Sequence, residues 1–369
     1  MTNRDGSIER RRTRMVRVGG VALGGGRPVA IQSMTNTDTR DVRSTVAQIR
    51  RLAKAGCEIV RLAVPDAAAA AALAGIRRRT DLPLVADIHF DHRLALAALD
   101  AGVDKLRINP GNIGPAENVW KVVKAAKARN VPIRIGVNAG SLERDILRKH
   151  GHPTAAGMVE SALRHVRLLE RAGFGDIVLS LKGSDVPMTI AAYRLAARAC
   201  RYPLHLGITE AGTAFAGAVR SAVGIGALLA EGIGDTIRVS LCGDPVKEIA
   251  AARLILQSLD LRVFGPTVIA CPTCGRCQID VERIARRVEA AVRGMTRPLR
   301  IAVMGCAVNG PGEARQADVG ICGGQGRGAV IRKGKVVATV RERDLVPALL
   351  REIGELGNRH SDENRNPAK

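Results

Sequence analysis

The sequence predicts an α/β protein, a (β/α)8 TIM barrel over residues 1–262 followed by a small α+β domain over 263–369. Three observations predict it. From about residue 29, short apolar runs rich in β-branched residues alternate with Ala/Leu/Arg-rich segments at helical spacing. Eight such units follow one another, which suits a closed barrel better than an open doubly wound sheet. After Leu259 the pattern changes, and 369 residues exceed what one core usually organises, so a second, smaller domain is expected.

The eight strand candidates are residues 29–33, 58–63, 84–88, 105–108, 133–137, 177–181, 204–208 and 236–241. Helical stretches between them include 42–55, 67–78, 117–129, 157–172 and 246–259. Gly56, Pro83, Gly102, Pro132, Gly173, Pro203 and Gly234 stand just before strands, where helix stops belong. Aromatics make up only 2% of the chain against 46% apolar residues, so the core is built of tightly packed Ala, Val, Leu and Ile. Residues 260–266 read as a linker. Strands follow at 267–270, 299–304, near Gly320, at 329–331 and at 336–340, with helices at 280–293 and 344–353. The polar tail, 358–369, is expected to be disordered.

A net charge of +22 favours an anionic partner. Nucleic acid is the obvious rival, but Trp120, two Tyr and four Phe are the whole stacking inventory and no basic stretch is interleaved with them, so no nucleic-acid role is expected. The basic run from Arg10 to Arg14 reads as a solvated arm. No apolar stretch reaches the roughly 20 residues of a membrane span, and the N-terminus lacks the apolar segment of a secretory signal. A cytoplasmic protein without a membrane role is expected, its eight cysteines being metal ligands, catalytic groups or small hydrophobes before disulfides.

The catalytic face of such a barrel lies at the C-terminal ends of its strands. Those ends carry Gln32 and Asn36; Arg61; Asp87 and His89; Arg107 and Asn109; Arg134 and Asn138; Lys182; Thr209 and Glu210; Arg238 and Ser240. Arg61, Arg107, Arg134 and Arg238 interrupt apolar strands, and buried guanidinium groups are costly without anions. Several Arg and one Lys at one mouth make a clamp for a diphosphate. For any single Arg, an ion pair with a neighbouring carboxylate is an equal reading. Asp87, His89 and Glu210 are the acid–base inventory of the mouth. His92, His150, His152, His165 and His360 default to surface or structural roles.

Five cysteines, Cys271, Cys274, Cys277, Cys306 and Cys322, concentrate in the small domain. C-P-T-C-G-R-C follows a strand, and Cys306 ends another, in M-G-C-A-V-N-G-P-G-E-A. Such thiolates hold either zinc or an iron–sulfur cluster, and spacing does not separate the two. The Gly-rich turn from Asn309 to Glu313 can bring a carboxylate back beside the thiol. One hard, weakly held ligand suits a cluster with an exchangeable iron, whereas a structural zinc ribbon has little use for it. Cys57, Cys200 and Cys242 read as buried small hydrophobes, and the run from Gly323 to Gly328 as a surface turn.

Q-S-M-T-N-T from Gln32, A-D-I-H-F from Ala86, R-I-N-P-G-N-I-G from Arg107, R-I-G-V-N-A-G-S-L from Arg134, G-I-T-E-A-G from Gly207, C-P-T-C-G-R from Cys271 and V-N-G-P-G-E-A from Val308 together closely resemble the bacterial 4-hydroxy-3-methylbut-2-enyl diphosphate synthase family of the non-mevalonate isoprenoid pathway. The likeness is colinear from about residue 10 to residue 355. It implies a barrel joined to a [4Fe–4S] domain that reductively dehydroxylates and opens 2-C-methyl-D-erythritol 2,4-cyclodiphosphate, using two electrons from flavodoxin or ferredoxin. The family's three Cys and one Glu ligands fall here on Cys271, Cys274, Cys306 and Glu313. Cys277 stands where members commonly carry another residue, and is expected to be a bystander. Arg61, Arg107, Asn109, Arg134, Asn138, Lys182, Thr209, Arg238 and Ser240 are expected to bind substrate, with Glu210, His89 and Asp87 catalytic. The last barrel helix returns the chain to the bottom of the barrel. The resemblance implies a head-to-tail homodimer that sets each cluster over its partner's mouth. A zinc-stapled, basic nucleic-acid-binding protein is the alternative that iron analysis separates from this reading.

Overall fold

In the computed structural model, residues 7–109, 113–308 and 310–363 are described, the side chains of 357–363 excepted. The chain divides into two units, Met1–Arg262 and Val263–Lys369.

In the first unit a hairpin of β1 (Val16–Val18) and β2 (Val21–Leu23) precedes eight parallel strands: β3 (Ala30–Met34), β4 (Ile59–Val64), β5 (Leu84–Ile88), β6 (Lys105–Ile108), β7 (Ile133–Asn138), β8 (Ile177–Lys182), β9 (His205–Leu206) and β10 (Thr236–Ile237). They are ordered β8-β7-β6-β5-β4-β3-β10-β9, and a bridge between Leu179 and Leu204 returns β9 to β8, bringing the ring round to near closure. The predicted barrel is therefore present. Its first six strands lie within a residue of expectation, but β9 and β10 are far shorter than 204–208 and 236–241. The backbone there leaves the ladder for other partners: Thr209 N–H donates to Gly183 O and Leu241 N–H to the Glu248 carboxylate.

Outside the strands pack α1 (Val42–Ala55), α2 (Ala67–Arg77), α3 (His92–Asp100), α4 (Ala116–Ala128), α5 (Arg144–His150), α6 (Ala155–Arg171), α7 (Val186–Ala199), α8 (Ala214–Ala230) and α9 (Val246–Ser258). Asp41, Asp66, Asp91, Thr154 and Asp185 each cap a helix by accepting a backbone N–H of its first turn, so the chain turns sharply from strand end to helix start. The hairpin and α5 were not anticipated, being too short to show a period. Val16, Val18 and Leu23 of the hairpin pack on Ala30, Ile59, Val85 and Val178, early residues of β3, β4, β5 and β8, and so seal the bottom of the barrel. The basic run before it is no solvated arm. Arg11 donates to the carbonyls of Ala197, Cys200 and Tyr202, Arg10 pairs with Asp235 at 3.3 Å, and Arg14 lies over the Tyr202 ring. The guanidinium groups take up carbonyls left free at helix and strand ends.

The second unit is a five-stranded sheet ordered β11 (Thr267–Ala270), β12 (Arg300–Met304), β13 (Val319–Gly323), β14 (Arg327–Arg332), β15 (Lys335–Arg341), parallel across the first three and antiparallel thereafter. The amphipathic α10 (Val281–Ala291) and α12 (Leu345–Glu363) contribute Ile284, Val288, Leu349 and Ile353 to a core with Ile301, Val303 and Ile321. A short helix, α11 (Gly310–Ala314), follows β12. Because α12 runs to Glu363, residues 358–363 are helical where disorder was expected; 364–369 lie outside the described residues.

Candidate functional site

Inside the barrel the apolar floor gives way, two residues up each strand, to polar side chains. β3 is not a neighbour of β6 or β7, yet Gln32 Oε1 accepts from Lys105 Nζ (3.4 Å) and Arg134 Nη1 (3.5 Å), so these groups meet across the interior. Above them Asp87 lies between Arg61 (Nε–Oδ2, 3.7 Å) and Arg107 (Nη1–Oδ1, 3.1 Å). Arg107 Nη1 also stands 2.8 Å from His89 Nε2. A guanidinium can only donate, so this ring nitrogen accepts and the imidazole proton sits on Nδ1. On the far side Arg238 meets Glu248 of α9 through two contacts of 3.2 Å, with Ser33 Oγ donating to the same carboxylate at 2.8 Å.

The charges do not balance. Arg61, Lys105, Arg107, Arg134, Lys182 and Arg238 face two carboxylates, Asp87 and Glu248, and among the described residues none of Lys105, Arg134 and Lys182 has a carboxylate at ion-pair distance. Arg134 is fully buried with Nε and Nη2 unpartnered. Burial and the neighbouring cations push Lys105, Arg134 and Lys182 well below their ordinary pKa. Burial, with Arg238 and Arg107 adding to it, brings Arg61 down to about 10. Burial alone would raise Asp87, but Arg61 and Arg107 outweigh it and hold the carboxyl below the usual range. An interior with this excess of positive charge can receive an anion.

Two glycines make room for its cations. A Cβ on Gly136 would fall on Arg107 Nε, and one on Gly207 would stand 2.6 Å from Lys182 Nζ. Both glycines belong to motifs quoted above, and the close approach of a cation explains them. At the rim, Glu210 is exposed, adopts φ 53° and has no hydrogen-bond or ion-pair partner among the described residues. Phe90, beside His89, is 72% exposed with φ 66°, a backbone state uncommon for a bulky residue. Asn109 is buried just after β6, Asn138 ends β7, and Thr209 and Ser240 are half-buried on loops. Residues 110–112 of the R-I-N-P-G-N-I-G motif lie outside the described residues.

For Arg61, Arg107 and Arg238 the carboxylate partner holds; Arg134 is the arginine without one. Sequence reasoning missed Lys105, His205 and Glu248. Strand parity could have found the first two, since each stands two residues before a mouth residue, Arg107 or Gly207. Nothing in the sequence marks Glu248. His165 is structural, its Nε2 being 2.6 Å from Glu143 Oε1. Cys57 is buried, which pushes its thiol up to about 12, but Cys200 is only half-buried and Cys242 is exposed, so those two are not core residues.

In the second unit Cys271 follows β11, and its Sγ accepts a hydrogen bond from Gly305 N–H at 3.1 Å, the contact a thiolate ligand receives. Cys277 Sγ instead donates to Ile279 O at 3.0 Å. A Cβ on Gly305 would stand 2.5 Å from Cys277 Sγ and 3.3 Å from Cys271 Sγ, and one on Gly310 would stand 2.9 Å from Cys322 Sγ, so glycines keep the space beside the thiols open. Cys322 is buried, Cys306 half-buried, and Cys274 and Glu313 are exposed. Among the described residues no three His, Cys, Asp or Glu side chains converge as a metal site, and Asn309 of the turn lies outside them. The soft donors and the glycine-lined space fit an iron–sulfur cluster.

Residues 13–253 match the family model described as the GcpE TIM-barrel domain, and residues 267–355 the GcpE protein C-terminal domain. The chain belongs to the GcpE family. GcpE relatives named 4-hydroxy-3-methylbut-2-en-1-yl diphosphate synthase (flavodoxin) include that of Geobacter sulfurreducens, 58% identical over 345 residues, or 94% of this chain and 98% of the relative. That of Bacillus subtilis strain 168 is 57% identical over 351 residues, 95% and 93% of the two chains. The resemblance carried by the motifs is thus to the family the whole chain matches. Among the described residues no helix is long and apolar enough to cross a membrane.

Proposed function

We propose that this GcpE protein is a 4-hydroxy-3-methylbut-2-en-1-yl diphosphate synthase that opens 2-C-methyl-D-erythritol 2,4-cyclodiphosphate by a two-electron reductive dehydroxylation. The observation that carries the reading is the barrel interior, where Arg134, Lys105 and Lys182 are buried without a counter-ion among the described residues. A diphosphate supplies what they lack, and guanidinium forks bind it bidentately. Held there, the substrate gains the orientation that makes ring opening effectively unimolecular. His89, with Nε2 accepting from Arg107, presents its Nδ1 proton; Glu210, without a partner among the described residues, is free to exchange a proton with the opening ring. Asn109, Asn138, Thr209 and Ser240 complete the polar rim.

Cys271, Cys274, Cys306 and Glu313 would hold a [4Fe–4S] cluster, and that cluster would supply the two electrons, drawn from flavodoxin as the relatives' names imply. The acceptor role of Cys271 and the donor role of Cys277 support this choice of ligands. The working unit we propose is a homodimer, so specific activity should fall on dilution as the dimer dissociates.

Anaerobic iron and sulfide analysis, combined with turnover of the cyclodiphosphate, tests the whole reading; colourless protein with stoichiometric zinc sinks it. Glu210→Gln should keep its iron while turnover drops about 100-fold or more, the scale of a lost general acid. Unchanged rates remove Glu210 from the mechanism. Gly136→Ala should push Arg107 away from Asp87 and His89 and weaken pyrophosphate binding about tenfold, measured by calorimetry, as expected for losing charge-assisted hydrogen bonds.

A further inference from the structure

One layer below the mouth, at a depth where barrels are ordinarily filled by branched apolar side chains, stands Lys105. It is fully buried, and its Nζ has one hydrogen-bond neighbour, Gln32 Oε1, which Arg134 Nη1 shares. Other charged and titratable groups of the interior are Arg61 of β4, Asp87 of β5, Arg107 of β6, Arg134 of β7, Lys182 of β8, His205 of β9 and Arg238 after β10, with Glu248 reaching in from α9. Both carboxylates are engaged elsewhere, Asp87 by Arg61 and Arg107, Glu248 by Arg238. His205 is fully buried and neither of its ring nitrogens has a partner, so it offers Lys105 no compensation.

An ammonium in this position weakens the fold, because a Met of similar volume would fill the same space with no charge to desolvate. The barrel keeps a cation where stability argues against one, and the group it is tied to is Arg134, whose Nε and Nη2 remain buried and unpartnered.

We propose that Lys105 and Gln32 are positioning residues of the diphosphate site. The Gln32 amide oxygen pins Arg134 Nη1 and Lys105 Nζ to one acceptor, which fixes the guanidinium and leaves its other N–H groups for the anion. The charge on Lys105 adds to the field that the anion meets. The inference rests on the diphosphate reading of the barrel.

The test uses the full-length protein, inorganic pyrophosphate as probe, and two variants expected to fold at least as well as the parent. Lys105→Met removes the buried charge, and Gln32→Glu gives both cations a carboxylate. Each should melt at higher temperature without anion and bind pyrophosphate about tenfold more weakly, the scale of one unit charge in a partly desolvated site. In turnover, KM for the cyclodiphosphate should rise by a similar factor while kcat stays within about twofold, because binding and not chemistry is affected. If either variant binds pyrophosphate as tightly as the parent, the positioning role is wrong. If the parent itself does not bind pyrophosphate, the diphosphate reading falls instead, so the two failures are distinct.

Discussion

Replacing Cys271 by Ala is expected to empty the protein of iron and take turnover below detection, while pyrophosphate affinity stays within about twofold of the parent, since the proposed cluster ligands and the proposed diphosphate site lie in separate units of the chain. Cys271 stands at the end of β11, paired in register with β12, and this pairing delivers Gly305 N–H to its sulfur. No neighbouring side chain can stand in for it: Cys277 faces the same glycine but has its thiol committed to Ile279 O, and Cys322 is buried behind Gly310. Cys271 also packs against both apolar clusters of its unit, so truncation costs about 1 kcal/mol of packing besides the cluster. Cys277→Ser is the matched control, because a serine hydroxyl can make the same donation, and iron and turnover should both survive. Iron and sulfide analysis of anaerobically prepared variants reads the outcome directly. Full iron in Cys271→Ala would move the ligand set to other thiols, and iron lost from Cys277→Ser would make that residue a ligand.

The barrel was legible because its first six strands are largely apolar runs of four to six residues and five of its helices begin on Asp or Thr caps, signals that are local in sequence. The N-terminal hairpin was not legible, since three-residue strands carry no period and their purpose, sealing Ala30, Ile59, Val85 and Val178, exists only once the barrel closes. The same holds for Arg10 and Arg11: four arginines within five residues look solvated until helix and strand ends supply carbonyls for two of them. In the site, arginines within apolar strands marked the barrel interior as charged, yet which of them keep a carboxylate depends on distances across the ring. Glu248 illustrates the limit. It is an ordinary residue in the first turn of α9, and only the fold brings it to Arg238 and Ser33.

Asp87→Asn should lower stability at neutral pH by about 3–5 kcal/mol, the penalty for removing one partner of a buried ion pair, and should depress turnover with it. The carboxylate is 7% exposed and serves Arg61 and Arg107 together; an amide leaves both guanidinium groups without a counter-ion in an interior that already holds unpaired Lys105, Arg134 and Lys182. The pH dependence follows from the direction of the Asp87 shift. Its folded pKa lies below the unfolded value of about 4, so its stabilisation is fully present above that pH and fades as the pH falls further. The difference between parent and variant, measured by urea unfolding, should therefore be constant from about pH 5 to 8 and shrink below about pH 4. Pyrophosphate adds a second, independent sign. Two guanidinium groups deprived of Asp87 compete for the anion, so saturating pyrophosphate should raise the melting temperature of Asp87→Asn more than that of the parent, by mass action on the folded state. A variant as stable as the parent, or one whose deficit grows on acidification, would mean that Arg61 and Arg107 are neutralised by something other than this carboxylate.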